Sequence, residues 1–217
     1  MYIINRANRF EAIMSSSDTF KTIKEVSHGL YREKGSRFIS AAFPVSREDE
    51  IKSIIENIRK EHHEARHHCY AYLLGSEGTV WRANDGGEPS GTAGRPILGQ
   101  IRSHGLTNVM VVVSRYFGGT LLGVSGLINA YKSAAESALS NAEIIDHIIM
   151  ESYEITYPYS AMNDVMKIIK EEEIIQTDHS FDLECRIVLH FRLSARERIL
   201  ARLSRIEGLE CKFLQVQ

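Results

Sequence analysis

Five consecutive apolar residues, Val109-Met110-Val111-Val112-Val113, constrain this chain more than any other stretch. Successive side chains of a β-strand point to opposite faces, so an unbroken apolar run predicts a strand covered on both sides. The run ends at Ser114-Arg115, where a charge leaves an apolar strand. A lone charge there is costly unless it is paired, and Glu88 or Asp85 is the expected partner. A glycine-rich turn, Tyr116–Gly123, then leads into a small-residue helix carrying Leu127, Ala130, Tyr131, Ala134 and Ala138 on one face.

Upstream of that strand, residues 19–45 alternate as strands about a turn at Glu33-Lys34-Gly35-Ser36. Ser46, with Asp49 three residues on, is the expected N-cap of a helix. Ile51, Ile54, Ile55 and Ile58 recur behind it at helical spacing. Strands are expected over His67–Leu74 and Thr79–Arg82, then a polar loop Asn84–Arg95, with Pro96 in the first turn of a short helix.

The last third has its own rhythm. Strands are expected over Ile148–Tyr157, Ile174–Phe181, Leu183–Leu193 and Leu209–Val216, and helices over Ala161–Glu171 and Ala195–Ile206. The order βαββαβ is the ferredoxin-like arrangement. The fold class expected is therefore α/β in the broad sense (α+β), with a loosely ordered tail over 1–17, a first domain over 18–146 and a ferredoxin-like domain over 147–217. Met14 is an alternative start to Met1.

Composition excludes several classes. Three widely spaced cysteines in 217 residues suggest neither a disulfide framework nor a zinc ribbon. No apolar run reaches a membrane span and no signal-peptide pattern opens the chain, so a cytoplasmic protein without a membrane partner is expected. The net charge of −2 argues against a wholesale nucleic-acid coat. From His147 onward nine Lys and Arg face twelve Asp and Glu, which leaves 17 and 16 before it. Any polyanion site therefore belongs to the first part.

Two glycine-rich stretches are the candidate chemistry. Asp85-Gly86-Gly87-Glu88-Pro89-Ser90-Gly91-Thr92-Ala93-Gly94-Arg95 precedes a helix N-terminus. Accessible amides of Gly91 and Gly94, hydroxyls of Ser90 and Thr92, and Arg95 suit an anion cradle. A tight structural turn needs the same glycines. The stretch lacks the Walker A spacing and its Lys-Ser/Thr ending, so nucleotide hydrolysis is not indicated. The second stretch, Arg115-Tyr116-Phe117-Gly118-Gly119, has strand–loop–helix context. Its aromatics suit either base stacking or the core. His62, His63, His67, His68 and Cys69 invite a metal reading, but the helix ends near Ala65 and the histidines are read as a polar junction; no metal and no cofactor is expected. No nucleophile elbow is present and no catalytic residue is assigned.

These motifs resemble a family. Ala65-Arg66-His67-His68-Cys69-Tyr70-Ala71-Tyr72, Asp85 through Pro96, and Arg115-Tyr116-Phe117-Gly118-Gly119 with Leu122-Gly123 together resemble the signature of the YigZ/IMPACT family, over roughly 19–139. The resemblance implies a first domain like domain IV of elongation factor G, a left-handed βαβ superfold. It implies a second domain like that factor's last, ferredoxin-like domain. It also implies a link to translation control, with RNA or the ribosome as partner. Three positions depart from the pattern: Gly86 where a second acid is common, Leu121 where a lysine is frequent, and Ser125 where glycine is usual.

Three functional readings follow. In the first, a binding module holds RNA phosphates or a ribosomal surface through the two glycine loops with Arg37, Arg66, Arg95, Arg115 and Lys132; its ligand site would comprise Glu88, Ser90, Gly91, Thr92, Gly94, Arg95, Arg115, Tyr116, Gly118 and Gly119, with Arg37, Arg66 and Lys132 as nucleic-acid contacts. In the second, an enzyme acts on a small anionic substrate with Glu88 or Asp85 as acid or base. A purely protein-binding role is the third option.

Overall fold

The computed structural model describes residues 18–181 and 184–216, so the expectations for the 1–17 tail and for Met14 lie outside the described residues. The chain divides into two compact units, Phe20–His147 and a second made by Ile148–Gln217 with Asp18 and Thr19. Among the described residues it is a mixed α+β protein with eleven strands and five helices.

In the first unit β1 (Thr19–Ile23) lies beside β7 (Ile144–Ile148), and five strands form the main sheet. These are β2 (Ser27–Glu33), β3 (Ser36–Pro44), β4 (His67–Leu74), β5 (Val80–Asn84) and β6 (Val109–Tyr116), in the order β2-β3-β6-β4-β5 with every neighbour antiparallel. The apolar run thus occupies the central strand. Val109, Val111 and Val113 enter one core with α2 (Gly94–Ser103) and α3 (Gly123–Ser140), while Met110 and Val112 enter another beneath α1 (Glu48–Glu61). Alternation within one strand therefore serves two helix layers, which accounts for the missing polar face.

Local chemistry shapes the connections. Lys34 and Gly35 both have positive φ, 45° and 79°, in a two-residue turn that pairs Glu33 with Ser36. Such turns match the right-handed twist of the strands they join. The expected N-cap shifts: α1 begins at Glu48, and Ser46 gives both its N–H and its hydroxyl to Glu50, at 3.0 and 3.2 Å, while Asp49 pairs with Arg47. Glu50 has the longer stem and reaches back where Asp49 does not. The small residues of α3 let it lie close to the sheet. Ser40 Oγ donates to Ala134 O at 2.6 Å, and a Cβ on Gly29 would stand 2.4 Å from Ala138 N.

The second unit runs β8 (Met150–Tyr157), α4 (Met162–Glu171), β9 (Ile175–Phe181), β10 (Cys185–Arg192), α5 (Arg196–Leu203), β11 (Glu210–Val216). Its sheet order β11-β8-β10-β9, antiparallel throughout, is that of a ferredoxin-like domain. Tyr153, Ile155, Ile187, Leu189, Val165, Ile169 and Ile199 form its core. Glu172 sits between Arg198 and Arg202, and the Arg202 hydrogen bond holds its carboxyl below the usual range. The strand expected over 148–157 is β8, and β7 precedes it as a strand that was not expected. The chain changes sheet at Ile149, whose N–H donates to Asp18 O at 2.7 Å.

Met110 is fully buried beneath α1. Truncation in such a place removes transfer energy and leaves a cavity, so Met110→Ala should lower stability by about 2–5 kcal/mol. Urea unfolding followed by the emission of Trp81, the chain's one tryptophan, checks this.

Candidate functional site

The two glycine-rich loops meet at one end of the main sheet. Arg115, the penultimate residue of β6, is 6% exposed, and its Nη1 donates to Glu88 Oε1 at 2.7 Å; Glu88 is 4% exposed. Tyr131 of α3 donates its hydroxyl to the same oxygen at 2.8 Å. The carboxylate thus ties a strand, a loop and a helix together. Burying two charges is tolerable only when they pair, and a charge-assisted bond at this distance meets that need. Burial, with Cys69 and Glu88 alongside, raises the Tyr131 pKa and keeps it a donor. The Arg115 guanidinium also lies 5.4 Å from the ring centre of Phe38 and 5.7 Å from that of Phe117, while its Nε is buried without a hydrogen-bond partner.

The first loop organises itself around Asp85. Gly91 N–H donates to Oδ2 at 2.9 Å, and Ala93 and Gly94 N–H donate to Oδ1 at 3.0 and 2.8 Å. Burial pushes the Asp85 pKa up, yet the three amides outweigh it and the carboxyl sits below its ordinary value. This corrects the open anion cradle: the amides of Gly91 and Gly94 at the start of α2 already hold an anion, and it is Asp85's own. Thr92 is buried with its hydroxyl on Pro89 O at 2.7 Å. Ser90 and Arg95 are exposed.

Behind this loop, Cys69 donates its thiol to Asp85 O at 2.9 Å, and burial pushes its pKa up to about 12. The thiol is therefore not a nucleophile at neutral pH. His67 Nδ1 lies 3.0 Å from Gly86 O. A carbonyl only accepts, so Nδ1 carries the hydrogen, and Nε2 lies 3.9 Å from Glu88 Oε1. The other histidines go separate ways, His62 to the Tyr116 hydroxyl and His68 to Ser114, each at 3.0 Å. Among the described residues no three His, Cys, Asp or Glu side chains stand together as a metal site.

The second loop is held by close backbone approach. Gly118 N–H donates to Ser36 Oγ at 3.1 Å, and a Cβ on Gly118 would stand 1.9 Å from the carbonyl carbon of Gly35. Only glycine fits there. Arg37 lies 4.8 Å above the Tyr116 ring, and exposed Arg66 lies 5.9 Å from the half-exposed ring of Phe117. Gly119 is exposed, as is Lys132 on the surface of α3.

A pocket of about 530 Å³ opens between the loops. Arg66, His67, Glu88 and Arg115 give it a polar side, and Phe117, Leu121, Leu122, Val124 and Leu127 give it apolar walls. Arg66, Glu88 and Arg115 are thus united, whereas Ser90, Thr92, Arg95, Gly119 and Lys132 lie outside the lining. His67 and the leucines were not anticipated. The leucines carry no sequence signal beyond apolarity, and His67 is marked only by its place in a motif beside Arg66.

The first unit therefore defines a class of protein: an antiparallel sheet between helix layers, with a glycine-loop pocket at one end. Residues 34–139 match the model of the Impact N-terminal domain. The chain is 35% identical over 158 residues to IMPACT family member YvyE of Bacillus subtilis, covering 72% of each chain. It is 32% identical over 160 residues to IMPACT family member YigZ of Escherichia coli, covering 72% of this chain and 78% of that one. A crystal structure of a hypothetical protein superposes with a TM-score of 0.72 at 24% identity, covering 92% of this chain and 99% of the other, which supports the fold. This chain belongs to the IMPACT family.

Two measurements test the site's architecture. Replacing Arg115 with Met leaves the Glu88 charge buried and unpaired, and should cost about 3–5 kcal/mol; adding Glu88→Gln should recover part of it. For Asp85→Asn the expected cost is about 1–3 kcal/mol at neutral pH. Because the folded pKa is depressed, that contribution is complete above the ordinary carboxyl value of 3.8 and fades as pH falls through the lower folded value. Denaturant melts of wild type and variant should accordingly converge in acid.

Proposed function

We propose that this IMPACT-family chain is an RNA-binding protein that associates with the ribosome and acts in translation regulation in the cytoplasm. The observation that carries the reading is the grouping of arginines and aromatics at one end of the first unit. Phe117 is 42% exposed with the guanidinium groups of Arg66 and Arg115 5.9 and 5.7 Å from its ring centre, and Arg37 covers Tyr116 one residue away. Exposed aromatics supply stacking faces and guanidinium groups supply both stacking and phosphate contacts. Neither Arg37 nor Arg66 has a carboxylate within 4.0 Å among the described residues, so their charge remains for a polyanion. The two carboxylates weigh against the enzyme alternative: Asp85 is consumed by three amides, and Glu88 is fixed by Arg115 and Tyr131. No helix among the described residues is long and apolar enough to cross a membrane.

The expected result is salt-dependent co-sedimentation with ribosomes and salt-dependent affinity for single-stranded RNA. Arg66→Ala should reduce the slope of log affinity against log salt by about 0.7, the share of one phosphate contact on a single strand. Affinity indifferent to ionic strength would sink the reading.

A further inference from the structure

One exposed aromatic group of the first unit takes no part in the pocket. Trp81, the chain's one tryptophan, is 52% exposed on β5, an edge strand of the main sheet. It stands opposite Leu73, which enters the core shared with α2 and α3, so both residues belong to the face of the sheet that these helices cover. Helix α2 runs back along β5. Its first residue, Gly94, packs on the end of that strand, where a Cβ would stand 2.5 Å from Asn84 N. Near the other end of the helix the Arg102 guanidinium lies 5.1 Å from the centre of the Trp81 ring.

Arg95, Gly99 and Arg102 are spaced at i, i+4 and i+7, so they share one face of α2, and all three are exposed. Neither arginine has a carboxylate within 4.0 Å among the described residues, although the charge of Arg95 also acts on Asp85. Gly99 is the member that the fold does not explain. Glycine inside a helix is less stable than alanine. Gly99 does not have positive φ, and a Cβ there would meet nothing within 4 Å, so neither torsion nor packing requires it. What its bare backbone supplies is open surface between two cations, one of which lies over an indole. Glycine is also the residue that allows a ligand close to the backbone. A flat ring with negative charge on either side fits such a surface, and a nucleotide within a single strand is that group. Bases stack on aromatic faces, and phosphates pair with guanidinium groups. An acidic peptide would use the cations but not the indole.

We propose that Trp81 and the Arg95–Gly99–Arg102 face of α2 form a second RNA contact, in which an unpaired base stacks against the indole and its flanking phosphates meet the two arginines. The assignment rests on the RNA reading and adds a separate contact to the one at the pocket's rim. Stacking reads no base edge, so this contact is tolerant of sequence.

The test titrates the full chain with oligouridylate and with an abasic oligonucleotide of the same length. With a single tryptophan, emission reports on this place alone. Oligouridylate should quench it in step with the bound fraction measured by anisotropy, whereas the abasic chain, which offers only phosphates, should leave it unchanged. Trp81→Ala and Gly99→Leu should each weaken oligouridylate binding about tenfold, the scale of one lost stack. Leucine favours a helix and the position is open, so Gly99→Leu should melt no lower than wild type, which separates its lost affinity from a folding defect. Salt-dependent RNA binding with unchanged emission, equal quenching by the abasic chain, or wild-type affinity in either variant overturns this contact and leaves the RNA reading standing. Absence of salt-dependent RNA binding overturns both.

Discussion

The buried bond between Arg115 and Glu88 is the interaction on which the site depends. A guanidinium at the end of an apolar strand is stable only if an acceptor comes to it, and the acceptor arrives on a loop with little regular structure of its own. Tyr131 then fastens the same carboxylate to α3. Three segments far apart in sequence are located by one oxygen atom. The walls between them, and so the pocket, follow from that geometry. Because the pair cancels its own charge, the pocket's remaining polar groups are Arg66 and His67.

A second internal anion governs the other half of the loop. Glycine-rich turns before helices attract negative charge through their amides, and here Asp85 supplies it from within. The loop's amides are thereby satisfied from within, and its glycines serve backbone shape. The charge left unpaired lies at the rim, where Arg37 and Arg66 sit over the rings of Tyr116 and Phe117.

Much of the fold was legible in the chain, for identifiable reasons. The run at Val109–Val113 had no polar face, and only a strand with cover on both sides accommodates it. The Lys34-Gly35 turn and the alternation at Ile187, Leu189 and Phe191 were equally direct. The cost of a stranded Arg115 foretold an acidic partner, and Glu88 is that partner. The capture of amides by Asp85 was not legible, because a string of glycines says that unusual torsions are available and not which way the chain turns. The passage from one sheet to the next at Ile149 was equally hidden, since no glycine or proline marks the break and the Ile149 N–H bonds to Asp18 O, remote in sequence. His67 acquires meaning only once its Nδ1 partner is known, which is a matter of tertiary placement.

The backbone contact between Gly118 and Gly35 joins two turns that lie more than eighty positions apart in the chain. With no side chains between them they behave as a single mechanical joint, so displacement of one turn is transmitted to the other. The pocket mouth is consequently coupled to the tip of the hairpin formed by β2 and β3. A side chain at Gly118 would meet backbone atoms of Gly35 and Ser36, and because Gly35 already lacks a side chain no substitution there can make room for it.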